Sequence, residues 1–282
     1  MSLASSSVRE RFELKDHVAI ITGGAGLLGT RHAEAIAEMG GTPVLVDVDE
    51  RLAQERARQL AATHGCKSLG IGANICQPDE VKEALRTVLA NFQRVDILIN
   101  NAANNPKVDA GAQSGGHWSR LENFPLATWE QAVAVGLTGA FLCSQIIGSE
   151  LARRGCGVIL NIASDLGIIA PDQRIYRDSK LPADQQPTKP VSYSVVKHGI
   201  VGLTRYLATY WADRGVRVNS LSPGGVFTGQ DEDFVGRLVN LIPLQRMADK
   251  DEYKAAIVFL VSDASSYMTG ANLVIDGGRT VW

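Results

Sequence analysis

Tyr193 and Lys197 stand at the head of a run whose apolar residues Val196, Ile200, Leu203, Leu207 and Trp211 recur at helical spacing. That spacing puts the phenol and the ammonium on one helix face. A phenol ordinarily holds its proton to about pH 10, and a cation one turn away stabilises the phenolate and lowers that value. The expectation is a Tyr–Lys pair that exchanges a proton near neutral pH. A second pair with the same spelling, Tyr176 and Lys180, lies upstream. Pro182, Pro187 and Pro190 follow it and end any helix there, so the chemistry is assigned to Tyr193 and Lys197.

The elements that must carry this pair read as strands alternating with helices. Val18-Ala19-Ile20-Ile21 leads into Thr22-Gly23-Gly24-Ala25-Gly26-Leu27-Leu28-Gly29 and an Ala-rich helical pattern through Met39, stopped by Gly40-Gly41. A second apolar run then ends at Asp47. Strand, glycine turn, helix, strand and acid make a dinucleotide-binding unit. The glycines let the backbone approach a pyrophosphate at a helix N-terminus, and the acid accepts hydrogen bonds from the adenosine ribose hydroxyls. Asp47 repels the 2'-phosphate of NADP, so NAD is the expected cofactor. NADP is the alternative, with Arg31 or Arg51 swinging in to hold the phosphate.

The alternation continues with strands at 68–73, 96–99, 158–162, 217–221 and 273–275 and helices at 79–92, 128–153, 250–262 and the Tyr193 run. The predicted class is α/β: a Rossmann-like, doubly wound, mainly parallel sheet of about seven strands with helices on both faces. No linker interrupts it, so residues 16–282 read as one catalytic domain behind a flexible, Ser-rich tail over residues 1–15.

Hydrophobic residues at 45%, charged residues at 21% and a formal charge of −2 are globular values. The charge balance argues against nucleic acid, and the expected partner is a small-molecule substrate. The stretch 132–143 holds two glycines and reads as too short to span a bilayer, and no apolar leader core is evident, so a cytoplasmic protein without a membrane contact is expected. The four cysteines form no CxxC, and the five histidines form no HxxH or HExxH. Neither a metal site nor a disulfide framework is expected.

Several separated motifs together resemble the short-chain dehydrogenase/reductase family over about residues 18–278. They are Thr22-Gly23 through Gly29, Asn100-Asn101-Ala102, Asn161-Ile162-Ala163-Ser164 with Gly167, Tyr193 with Lys197, Asn219 through Ser222-Pro223-Gly224, and Asp276-Gly277-Gly278. The resemblance implies that Ser164 hydrogen-bonds the substrate oxygen and that Tyr193 is the general acid/base. Lys197 would hold the nicotinamide ribose while lowering the Tyr pKa. It places the cofactor against Gly23, Gly26, Leu28 and Gly29, beside Asp47. Asn74, Ile75, Asn101 and Ala102 would form one wall, and Pro223, Gly224, Val226 and Thr228 another.

Three departures from the family pattern stand out. Gly26 and Leu27 give the glycine turn a spacing closer to the branch acting on nucleotide sugars. Gly136 occupies the position where the family usually places an Asn that anchors a proton-relay water, so a water or a neighbouring side chain must substitute. The interval from Ser164 to Tyr193 is more than twice the usual one of about a dozen residues.

Two long loops, about 104–123 and 165–190, start at the C-terminal ends of strands, where ligands of such sheets bind. Asn104, Asp165 and Arg174 are the substrate candidates. Asn105, Lys107, His117, Asp172, Tyr176, Arg177 and Lys180 add to a lining suited to a polyhydroxylated or phosphorylated ligand. The leading expectation is an NAD(P)-dependent oxidoreductase interconverting a secondary alcohol and a ketone on a sugar or sugar derivative. Local similarity extends to oxidoreductases of bacterial surface-glycan (nonulosonic acid) pathways and to gluconate dehydrogenases. The alternatives are an NADPH-dependent 3-oxoacyl-carrier-protein reductase and a catalytically impaired nucleotide-binding regulatory protein. Apolar helix faces near 132–147 and 200–211 resemble family surfaces that associate into homodimers or homotetramers.

Overall fold

The computed structural model describes residues 7–104 and 117–282, so Asn105 and Lys107 lie outside the described residues. Short apolar runs become strands: β1 (Val18–Thr22), β2 (Thr42–Asp47), β3 (Leu69–Gly72), β4 (Ile97–Asn100), β5 (Gly157–Ile162), β6 (Val216–Pro223) and β7 (Asn272–Ile275). They pair in the order β3-β2-β1-β4-β5-β6-β7, every pair parallel. Residues of β1 and β4 are buried throughout, as a sheet covered on both faces requires.

Helices cross between the strands: α1 (Leu27–Glu38), α2 (Glu50–His64), α3 (Pro78–Phe92), α4 (Leu126–Arg154), α5 (Val191–Tyr210), α6 (Glu232–Val239) and α7 (Lys254–Val261). Their ends have local causes. Asp49 caps α2 by accepting the Leu52 N–H at 2.9 Å, and Pro78 opens α3. One hydrophobic core lies between the sheet and α1, α2 and α7, and another between the sheet and α3, α4 and α5.

The strand order reverses between β1 and β4, which opens a crevice beyond the carboxyl ends of the central strands. Beneath that crevice a buried amide chain ties the layers together. Asn100 donates to Ser144 (3.0 Å) and Asn161 (2.8 Å), and Asn161 donates to Thr204 (2.9 Å), joining β4, α4, β5 and α5.

Three expectations are corrected here. Residues 12–14 belong to the packed domain and not to the expected tail over residues 1–15, because Leu14 is fully buried in the core and Phe12 packs beside it. Helices α2 and α6 join the predicted ones. Helix α4 is a 29-residue helix, long and apolar enough by composition to cross a membrane, where the stretch had read as too short. Cys143, Ile147 and Leu151 on it are buried against the sheet, the packing of a core helix.

Candidate active site

The glycine turn is shaped by close approach. Gly23 has φ +61, and a Cβ on it would lie 2.9 Å from Ala102 Cα. A Cβ on Gly29 would strike the Gly23 carbonyl oxygen, so helix α1 seats directly on the turn. No described side chain caps α1 after Gly26, which leaves the first-turn N–H groups around Leu28 open to an anion. Asp47, ending β2, accepts the Ala25 N–H at 3.1 Å and the Asp49 N–H at 3.2 Å, which fixes the carboxylate beside the turn. Arg31 is engaged by Glu34 at 2.6 and 2.7 Å and lies 3.7 Å from Asp251; Arg51 is exposed.

The remaining cofactor candidates surround the same crevice. Asn101 donates its amide to the carbonyls of Thr22 (3.0 Å) and Gly23 (3.1 Å), so it holds the turn in shape. Asn74 accepts the Cys76 N–H at 3.0 Å, and Ile75 is buried against Gly139 of α4. Pro223 ends β6, Gly224 donates to the Ile275 carbonyl at 2.8 Å, and Val226 bridges to Ala248. Thr228 is exposed, its N–H held by Gln230 at 2.8 Å. A glycine cradle, an open helix N-terminus and a tethered acid fit a dinucleotide.

Ser164 follows β5 and caps a short turn, Asp165–Gly167. Tyr193 and Lys197 occupy the first turns of α5, and Ser164 lies close enough to act on the Tyr193 phenol. The Lys197 ammonium donates to the Ile162 carbonyl at 2.8 Å and lies 5.7 Å from the Tyr193 ring centroid. A further cation, Lys189, places its ammonium 4.0 Å from that centroid.

The protonation of the pair departs from the helix-spacing expectation. Burial pushes the Tyr193 phenol above its ordinary value, Ser164 opposes this, and the Asp165 charge adds to it. Burial pulls the Lys197 ammonium down to about 8, helped by Lys189. Burial also brings Lys189 down to about 8; Asp165 opposes the shift and Arg279 favours it. Desolvation therefore outweighs the neighbouring cation, and the two side chains alone do not lower the phenol.

The structure separates the two tyrosines. Tyr176 ends a 3-10 turn, Gln173–Tyr176, and packs on Phe234 of α6 with ring centroids 5.5 Å apart. Burial holds its phenol up at about 12, and Lys180 sits in an exposed turn. This loop and α6 form their own apolar cluster around Ile175, Leu238, Ile242 and Met247.

Two substrate candidates are placed differently from expectation. Asp165 is buried, with its carboxylate turned to Ser164, Leu166 and Arg279 and so not presented to a ligand. Arg174 is exposed and forked onto Asp172 at 2.6 to 3.1 Å. Asn104 is half-buried just beyond β4. His117 is fully buried, its ring nitrogen 2.8 Å from Ser119 Oγ.

Gly136 falls in a π-type segment of α4, Ala134–Thr138, and the Lys197 ammonium is held by the main chain of β5. Lys189 and Arg279 are the site residues that sequence reading missed. Lys189 precedes Tyr193 by one helical repeat but lies beyond Pro190, outside α5, and Arg279 follows the Asp276-Gly277-Gly278 motif directly.

The seven-stranded parallel sheet with helices on both faces is a Rossmann-like α/β fold. The chain matches the short chain dehydrogenase family over residues 17–235 and belongs to that family. It is similar to the D-threitol dehydrogenase of Mycolicibacterium smegmatis, at 35% identity over 98% of this chain and 97% of that one. It is also similar to the NAD-dependent glycerol dehydrogenase of Listeria innocua, at 31% identity over 96% of each. Among solved structures, a gluconate 5-dehydrogenase from Burkholderia cenocepacia in complex with NADP and tartrate superposes with a TM-score of 0.85. That match has 26% identity and covers 98% of this chain and 100% of that one.

Proposed function

We propose that the protein is an NAD-dependent dehydrogenase that interconverts a secondary alcohol and a ketone on a polyol or related sugar derivative, using Ser164, Tyr193 and Lys197. The observation that carries this reading is the convergence on Tyr193 of Ser164, from the end of β5, and of Lys197, buried on the same helix with its ammonium 5.7 Å from the ring centroid. Asp47 supports NAD, because a 2'-phosphate beside it would meet an uncompensated carboxylate while Arg31 is engaged elsewhere. The named activities of the threitol and glycerol relatives support a polyol substrate.

When bound, the oxidised nicotinamide supplies the hydride acceptor and a positive charge. Tyr193, as phenolate, takes the proton of the substrate hydroxyl, and Ser164 steadies the substrate oxygen. Lys197, fixed at the Ile162 carbonyl, keeps further N–H donors for ribose hydroxyls, and its charge favours the phenolate. In the reducing direction Tyr193 returns its proton to the ketone oxygen. The Tyr176 loop and α6 exclude water from this exchange.

The reading extends to a cytoplasmic dimer or tetramer, with the exposed, stacked Tyr206 and Tyr210 of α5 at a subunit contact. Steady-state assays with NAD and NADP over threitol, glycerol, mannitol, aldonates and sugar phosphates test the activity. The expected result is NAD-dependent oxidation of at least one polyol, lost in Tyr193→Phe. Inactivity across the panel with both cofactors overturns it.

A further inference from the structure

The C-terminal segment reaches back to the catalytic serine. After β7 the chain turns through Gly277 and Gly278, at φ +68 and +90, conformations open to glycine. The Asp276 carboxylate accepts the N–H groups of Gly278 and Thr280 at 2.8 Å each, and the Trp282 indole donates to the Leu241 carbonyl at 3.1 Å. This turn aims Arg279 inward, with Nη1 2.6 Å from Asp165 Oδ2 and both side chains buried. The other Asp165 oxygen accepts the Ser164 hydroxyl at 2.7 Å and the Leu166 N–H at 2.8 Å. The Ser164 hydroxyl thus rests on Asp165 in the free protein, and its proton turns to the substrate oxygen when substrate binds.

We propose that Arg279 is a positioning residue for this reaction: by clamping Asp165 it holds the Ser164 side chain in place and offsets the charge of the buried carboxylate next to that serine. The inference rests on the reading of Ser164 and Tyr193 as the catalytic pair. A buried ion pair adds little net stability, because desolvation of both ions offsets their attraction, so its place beside the reacting groups calls for another role. Charged and titratable groups converge on Tyr193 from several elements. Lys189 comes from the segment before α5, Lys197 from α5, Asp165 from the turn after β5 and Tyr176 from the covering loop, while Arg279 reaches Asp165 from the segment after β7. Without Arg279, the Asp165 carboxylate would oppose the phenolate that oxidation requires.

The test is an ultraviolet difference titration of Tyr193, each protein being read against its own Tyr193→Phe counterpart. Arg279→Met should raise the midpoint by about one pH unit or more, because a buried carboxylate is left uncancelled. Arg279→Lys should keep the midpoint near the parent value, and Asp165→Asn with Arg279→Met should bring it back. If Arg279→Met does not fold, Asp165→Asn alone carries the test, since it leaves the guanidinium unopposed and should lower the midpoint. An unmoved midpoint in Arg279→Met or Asp165→Asn overturns the inference, as does a double variant that stays as high as the single one. With any polyol the parent oxidises, the acid limb of kcat/KM should move up in Arg279→Met, with the KM for NAD unchanged. Activity that survives Tyr193→Phe would sink the catalytic reading itself, a result distinct from an unmoved midpoint.

Discussion

Val196 closes the space beside Gly136: a Cβ on the glycine would lie 2.5 Å from Val196 Cγ1. Helices α4 and α5 approach so closely there that the relay asparagine of the family pattern has no room. The missing side chain is therefore a packing consequence as well as a change of chemistry. Gly136→Asn should overpack this contact and cost about 1–3 kcal/mol. Thermal unfolding checks this: the midpoint should fall, and adding Val196→Ala should recover most of the loss.

Replacement of each of the two tyrosines should tell them apart. Tyr193→Phe removes the proton-transfer group and should lower kcat by roughly 100-fold to 10,000-fold with NADH binding retained. Tyr176→Phe keeps the ring on Phe234 and loses only the hydroxyl, so its kcat should stay within the parent's order of magnitude. Initial rates and fluorescence titration with NADH check both.

Cofactor choice should follow the charge at the end of β2. Asp47→Ser removes the carboxylate that a 2'-phosphate would meet, and should raise the ratio of NADP to NAD affinity by about tenfold or more. Direct binding measurements with both cofactors test it, and an unchanged ratio would assign specificity elsewhere.

His32 makes the fold sensitive to acid. The ring is buried on α1, and neither nitrogen finds a hydrogen-bond partner among the described residues. Burial pulls its pKa from 6.5 to about 3, against a weaker opposing contribution from Asn101. Between those values the unfolded chain binds a proton that the native state refuses. Stability from this group is therefore complete above pH 6.5 and falls by about 1.4 kcal/mol per pH unit below it, down to about pH 3. Urea unfolding at pH 7.5 and pH 5 should show this loss, and His32→Leu should flatten it.

The sequence by itself determined what depends on neighbours along the chain. Apolar runs ending in turns specified the strands of the parallel sheet, the Thr22–Gly29 spacing specified the cradle, and the Tyr193–Lys197 interval specified a shared helix face. Proline spacing after Tyr176 also kept a long helix from following it, and the residue ends a short 3-10 turn. Tertiary structure decided what depends on groups distant in sequence. It brought Arg279 onto Asp165 from the far end of the chain, turned Asp165 from a substrate candidate into a partner of Ser164, and set Lys189 over the Tyr193 ring from beyond a proline. It also reversed the expected shift of the Tyr193 phenol. Helix spacing reveals one cation, whereas desolvation is summed over every element that packs around the ring, and that sum exists only in the folded chain.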